Sequence, residues 1–183
     1  MKDRELWLGH AAELLVEHGV VPVETPVLYS VGWPKGARGK GVARGQCWPP
    51  TASDDGQTAH VFLAPDVTDP QTVLLVLAHE LCHVLTPGAG HKGAFVKRAK
   101  LAGLVGPPWT TAAPSEGLAQ KLQELAILLG AYPHVGLQRP AKVQKTRMRL
   151  WECSCGIKLR RAGDLNALCL DCGAPFTRQE ADS

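Results

Sequence analysis

Apolar positions over the first eighteen residues recur at helical spacing. Leu6, Ala11, Leu14, Leu15 and His18 mark one broad face, which predicts an amphipathic helix over residues 3–18. Between residues 26 and 64 the pattern shortens, and strands are predicted near 26–31, 42–48 and 58–64, separated by loops rich in glycine, proline and aspartate. The run Val73-Leu74-Leu75-Val76-Leu77-Ala78 then predicts a buried helix over 70–85. Asp69 fits its N-cap, Pro70 its first position, and Thr86-Pro87-Gly88 its stop. A further helix is expected over 93–103, closed by Gly103, followed by a proline-rich loop from Val105 to Pro114. A last helix is expected from Ser115 to Leu129, with Leu118, Leu122, Leu125 and Leu129 on its core side. These elements make an α+β domain, a small sheet beside a helical body, with no internal repeat.

Inside the buried helix stands His79-Glu80-Leu81-Cys82-His83. Histidines four apart on a helix leave the same face about 6 Å apart along the axis. Both rings then reach one metal at roughly 2.0–2.1 Å. The glutamate beside the first ligand is positioned to take a proton from water at that metal. Catalytic zinc takes three protein ligands and leaves one position open, so a third ligand is needed. His91 lies eight residues beyond His83, across a glycine-rich turn that brings the chain back. The metzincin spacing fails, because it would put the third histidine at Ala89. Glu116 and Glu124, on the last helix, are the rival third ligands of the gluzincin type. His10, His18, His60 and His134 lack a partner at ligand spacing and receive no role as metal ligands.

The segment Leu77-Ala78-His79-Glu80-Leu81-Cys82-His83, followed by Gly90-His91-Lys92-Gly93-Ala94-Phe95, resembles the SprT-like zinc metalloproteases, which include the Spartan proteases. That family's third histidine opens a segment of the type Gly-His-Gly-x-x-Phe. Here Lys92 replaces a glycine and Gly93 the usual proline, while the ligand is retained. Val27 to Trp33 and His60 to Pro65 resemble the family's strands before the active-site helix. The likeness is loose over residues 1–130 and sharp over 60–100. It implies a zincin-like metalloprotease domain, here residues 1–137, with His79, His83 and His91 as zinc ligands and Glu80 as general base. It also implies protein substrates attached to DNA, and many members of the family carry a C-terminal zinc ribbon.

The tail of the chain points to such a ribbon on its own. Cys153-Ser154-Cys155 and Cys169-Leu170-Asp171-Cys172 form two pairs separated by thirteen residues, each followed by a glycine. Four thiolates so clustered suit a closed, tetrahedral structural zinc, which holds together a segment too small for a core, here residues 151–178. A disulfide pairing would need an oxidising compartment, which nothing in the chain suggests. Cys47 and Cys82 read as small buried hydrophobes rather than nucleophiles.

Charge adds one feature. The chain of 183 residues carries only +3, yet residues 139–161 hold Arg139, Lys142, Lys145, Arg147, Arg149, Lys158, Arg160 and Arg161 against a single acid, Glu152. The stretch 138–150 reads as a basic linker. Phosphate neutralisation by this stripe, with Trp151 stacking on a base, would support non-specific or single-stranded DNA binding. The charged N-terminus lacks a signal-peptide core, and no segment approaches a membrane span. The expected location is therefore cytoplasmic, with nucleoid association open to it.

The sequence thus predicts a zinc metallopeptidase with one catalytic and one structural zinc. Its alternative is a non-catalytic, zinc-containing nucleic-acid adaptor, against which an intact Glu80 argues. A hydrolase of another substrate also fits, since the motif specifies chemistry better than substrate. Strand 58–64 would align a substrate by backbone pairing if it lay at a sheet edge. Tyr29, Tyr132 and His134 are equal candidates for stabilising the oxyanion.

Overall fold

Helix capping sets the frame. In a computed structural model that describes residues 3–34, 43–111, 113–138 and 148–179, Asp3 accepts from the backbone N–H groups of Glu5 and Leu6 and starts α1, Arg4–Glu17. Asp69 accepts from Thr72 N at 2.8 Å and, with Pro70 next to it, starts α2, Pro70–Val84. A cap contributes about 1 kcal/mol. Val73, Leu74, Leu77 and Leu81 of α2 are all fully buried, and each contributes roughly 1.5–3 kcal/mol. Packing, more than capping, therefore holds α2 in place.

The buried side of α1 departs from expectation. Trp7, Leu8, Ala11, Ala12, Leu14 and Leu15 face the core, while Leu6 and His18 are exposed. The stripe is rotated from the predicted one because Trp7 and Leu8 supply more apolar area than Leu6 alone.

Three strands form a sheet in the order β1-β3-β2: Val27–Val31, Ala59–Leu63 and Gly45–Trp48. β1 runs parallel to β3 and β2 antiparallel to it. Ala59, Val61 and Leu63 point into the core, where α2 packs; His60 and Phe62 lie on the other face, half-buried. β3 is thus the central strand, paired on both sides, so the substrate-aligning role considered for 58–64 is closed to it. The edge next to α2 belongs to β2, which begins at Gly45 rather than at 42.

After α2 come α3, Ala94–Leu101, and α4, Glu116–Leu129, whose Leu118, Leu122 and Leu125 are buried as predicted. The intervening proline-rich loop contains a short antiparallel pair, β4 (Leu104–Val105) and β5 (Ala113–Pro114). The chain divides into two compact units, Met1–Arg139 and Pro140–Ser183. In the second, β6 (Met148–Glu152) pairs with β7 (Lys158–Ala162) and β8 (Thr177–Arg178). β6 thus starts inside the expected linker. No helix among the described residues is long and apolar enough to cross a membrane.

Candidate metal centres

The helical spacing of His79 and His83 puts both rings on one face of α2, and the turn after α2 returns His91 to them. That turn needs left-handed backbone: Gly90 has φ +54° and Gly93 φ +48°, which side-chain-bearing residues adopt at a cost. The Nε2 atom of His91 lies 3.2 Å from that of His79 and 3.2 Å from that of His83. Phe95, fully buried, stacks on His83 at 4.2 Å between centroids and lies 5.0 Å from each of the other two rings. The three imidazoles are therefore held by the core itself.

This donor set fits a metal ion. Three nitrogens at roughly 2.0–2.1 Å from a tetrahedral centre sit about 3.3 Å from one another, close to the spacing found. Burial, then the neighbouring His91, lowers His79 to about 4, and burial with the other two histidines lowers His83 to about 3. Burial also lowers His91. All three rings are neutral at pH 7, with a lone pair free for a cation. Glu116 and Glu124 are exposed on α4, Glu124 accepting from Gln120, and neither joins the cluster.

Glu80 is the one charged residue among the buried side chains described, and burial pushes its carboxyl up to about 8. What covers it comes from a strand far away in sequence. The backbone of β2 passes so close that a Cβ on Gly45 would sit 2.5 Å from Glu80 Oε1 and 2.8 Å from Val76 Cγ1. A glycine within a strand is the only signal that could have flagged this approach. Cys47 projects to the same side and is only half-covered; its thiol is raised to about 12 by burial and, less, by Glu80. Cys82 is fully buried, as expected.

The three oxyanion candidates separate. Tyr29 lines a groove with Glu13 and Val16 of α1. Tyr132 packs on Trp7 at 4.9 Å, and His134 donates through Nε2 to the Pro65 carbonyl. None of these neighbours belongs to the imidazole cluster.

In the second unit Cys153, Cys155, Cys169 and Cys172 converge, with all four sulfurs within 4.8 Å of one another. Cys153 and Cys155 sulfurs are 3.0 Å apart and those of Cys155 and Cys169 3.6 Å apart, and all are free thiols. Tetrahedral thiolates at about 2.3 Å from zinc would lie roughly 3.8 Å apart, so the cluster fits a metal with slight expansion. Each pair sits on a turn. Gly156 N donates to Cys153 O and Gly173 N to Cys169 O, with φ +88° and +69° at the two glycines. The backbone N–H of Ala174, then Cys155 and Ser154, bring the Cys172 thiol down to about 6.

The basic residues do not form one described stripe. Arg139, Lys142, Lys145 and Arg147 lie outside the described residues. Arg149 stands opposite Arg161 across the β6–β7 pair, whereas Arg160 is opposite Leu150 and Lys158 opposite Glu152. Alternation then puts Arg149 and Arg161 on one face, Arg160 and Lys158 on the other. Arg149 also approaches Asp164 at 3.9 Å, and Lys158 approaches Glu152 at 3.6 Å. Trp151 is 7% exposed, buried within the second unit. A ring so covered cannot offer its face to a base unless the ribbon rearranges.

No protein-family model matches the chain, and no curated protein matches it in sequence.

Proposed function

We propose that the chain is a zinc-dependent peptidase of the SprT-like type, acting on proteins associated with DNA. One observation carries this reading: three imidazole nitrogens at metal-ligand spacing, with a buried glutamate next to the first of them in sequence. The outer edge of β2, which pairs with no other strand among the described residues, supports it. Because Ala64 N donates to Arg44 O, the alternate β2 residues Gly45 and Cys47 turn their backbone groups outward. An extended substrate paired there runs past Glu80, since Gly45 abuts that carboxylate.

His79, His83 and His91 would hold a zinc ion, which would supply Lewis-acid polarisation of the scissile carbonyl and of water. Glu80 accepts the proton of the attacking water and passes it to the leaving amine. A cation held by the three imidazoles would favour the ionised form of this buried carboxyl, the form that takes the proton. Phe95 keeps the imidazoles in place, and β2 fixes the peptide by backbone hydrogen bonds.

The test is cleavage of a DNA-binding protein with and without single-stranded DNA, comparing wild type with Glu80→Gln. The variant should keep both metals by elemental analysis and lose at least about a hundredfold in rate. Full cleavage by Glu80→Gln would overturn the mechanism. DNA binding with no cleavage of any protein, this one included, would favour the adaptor instead.

A further inference from the structure

The sheet face turned away from α2 carries the short 3-10 turn Pro50–Ala52 and the loop after it, and no longer helix among the described residues. It carries a shallow cavity of about 600 Å³ floored by Leu28 and Phe62, walled by Trp48 and rimmed by Asp54 and Asp55. Trp48 and Leu28 are exposed there, at 41% and 56%. His60 does not compete for a ligand with its Nε2, which lies 3.0 Å from Ser53 Oγ. Asp55 is a carboxylate at every relevant pH, held down to about 2 by Thr58 and Gln57. An apolar floor, an indole face and carboxylates at the far rim match one kind of group: a cation on a long apolar stem.

Register says how such a group would arrive. In a chain added to the outer edge of β2, the residue opposite Gly45 projects toward α2 and Glu80. The residue opposite Trp48 projects onto the open face, beside the indole. From there a lysine or arginine side chain can lie across Trp48 and extend toward the turn that carries Asp54.

We propose that this cavity is a specificity subsite for a lysine or arginine side chain of an extended peptide paired to β2. The substrates of the site are accordingly extended basic segments, and this assignment rests on the peptidase reading above.

The experiment uses the full zinc-loaded chain and a series of otherwise neutral peptides, each with one alanine replaced by lysine. Wild type is expected to cleave the peptide with lysine at one register position about tenfold faster, in kcat/KM, than the all-alanine peptide. The lysine-to-alanine ratio should fall toward one in both Trp48→Leu and Asp54→Asn. A ratio near one in wild type, or one unchanged in both variants, overturns the subsite. If wild type cleaves none of the peptides, tryptophan fluorescence of full-length Glu80→Gln decides. Tighter binding of the lysine peptide, lost with Asp54→Asn, keeps the subsite while the peptidase reading fails. Equal binding of the two peptides, or quenching by oligothymidine alone, overturns it.

Discussion

The two ligand clusters are built in opposite ways. His79 and His83 stand on a helix whose Leu74, Leu77 and Leu81 are fully buried, and His91 and Phe95 close against the same core. Every part of that geometry has a structural reason to exist before a metal arrives. In the described part of the second unit, Trp151, Cys153 and Cys169 are the only buried residues. Two of these three belong to the cysteine cluster that could hold a metal. Burying one tryptophan contributes a few kcal/mol, whereas ordering the backbone costs about 1–2 kcal/mol per residue. Structural zinc contributes roughly 10–16 kcal/mol at such sites. A metal would be held by the first unit, whereas a metal would hold the second together.

The largest expected effect follows from that contrast. Stripping metal with a strong chelator should leave the helical signal and amide dispersion of the first unit intact. Resonances of residues 148–179 should collapse to random-coil positions, and Cys153→Ser should do the same without chelator. Dispersed ribbon resonances in a sample shown to be metal-free would sink the contrast.

The same contrast explains what the sequence disclosed. Both clusters were legible because ligand spacing is local: four residues along a helix, or two and three along a turn. The interiors of α2 and α4 were legible because their apolar periods are long and unbroken. The order of the sheet was not, since nothing in Ala59–Leu63 says that strands will flank it on both sides. Gly45 was missed for the same reason, because its partner Glu80 comes thirty-five residues later in sequence. Trp151 looked available for stacking because its burial depends on the folded ribbon around it rather than on its neighbours along β6.

Two glycines sharpen the comparison at a smaller scale. Gly45→Ala puts a methyl group within 3 Å of Glu80 and Val76, two side chains fixed in the core. Overpacking of this kind costs about 1–3 kcal/mol. It should lower the Tm of the first unit and reduce turnover, because the carboxylate must move. Gly156→Ala meets no atom within 4 Å, but its φ of +88° is unfavourable for alanine, at roughly 1–2 kcal/mol. That penalty should appear as weaker zinc binding by the ribbon, with the Tm of the first unit unchanged. Thermal melts and zinc competition on both variants separate the two effects; a fall in first-unit Tm for Gly156→Ala would contradict the division.

A last effect concerns pH in the metal-free protein, where the first unit is the one with stability to lose. Histidines near 6.5 in the unfolded chain are lowered to about 4 at His79 and about 3 at His83. Below 6.5 the unfolded chain therefore binds protons that the folded one refuses, and stability falls as pH drops. Glu80 acts in the other direction. Its carboxyl rises from 4.5 to about 8, so the folded state keeps a proton that the unfolded chain releases. That contribution is whole below 4.5 and is lost as pH climbs through 8. With more than one histidine opposing one glutamate, the melting temperature of the chelated protein should peak near pH 6.5 and decline on both sides. Glu80→Gln removes the alkaline decline and leaves the acid one, because glutamine does not titrate. Melts of chelated wild type and variant from pH 4 to about 9 test this. An equal decline above pH 6.5 in both proteins would mean that Glu80 is not the group that titrates, and that its burial beside Gly45 is looser than its packing requires.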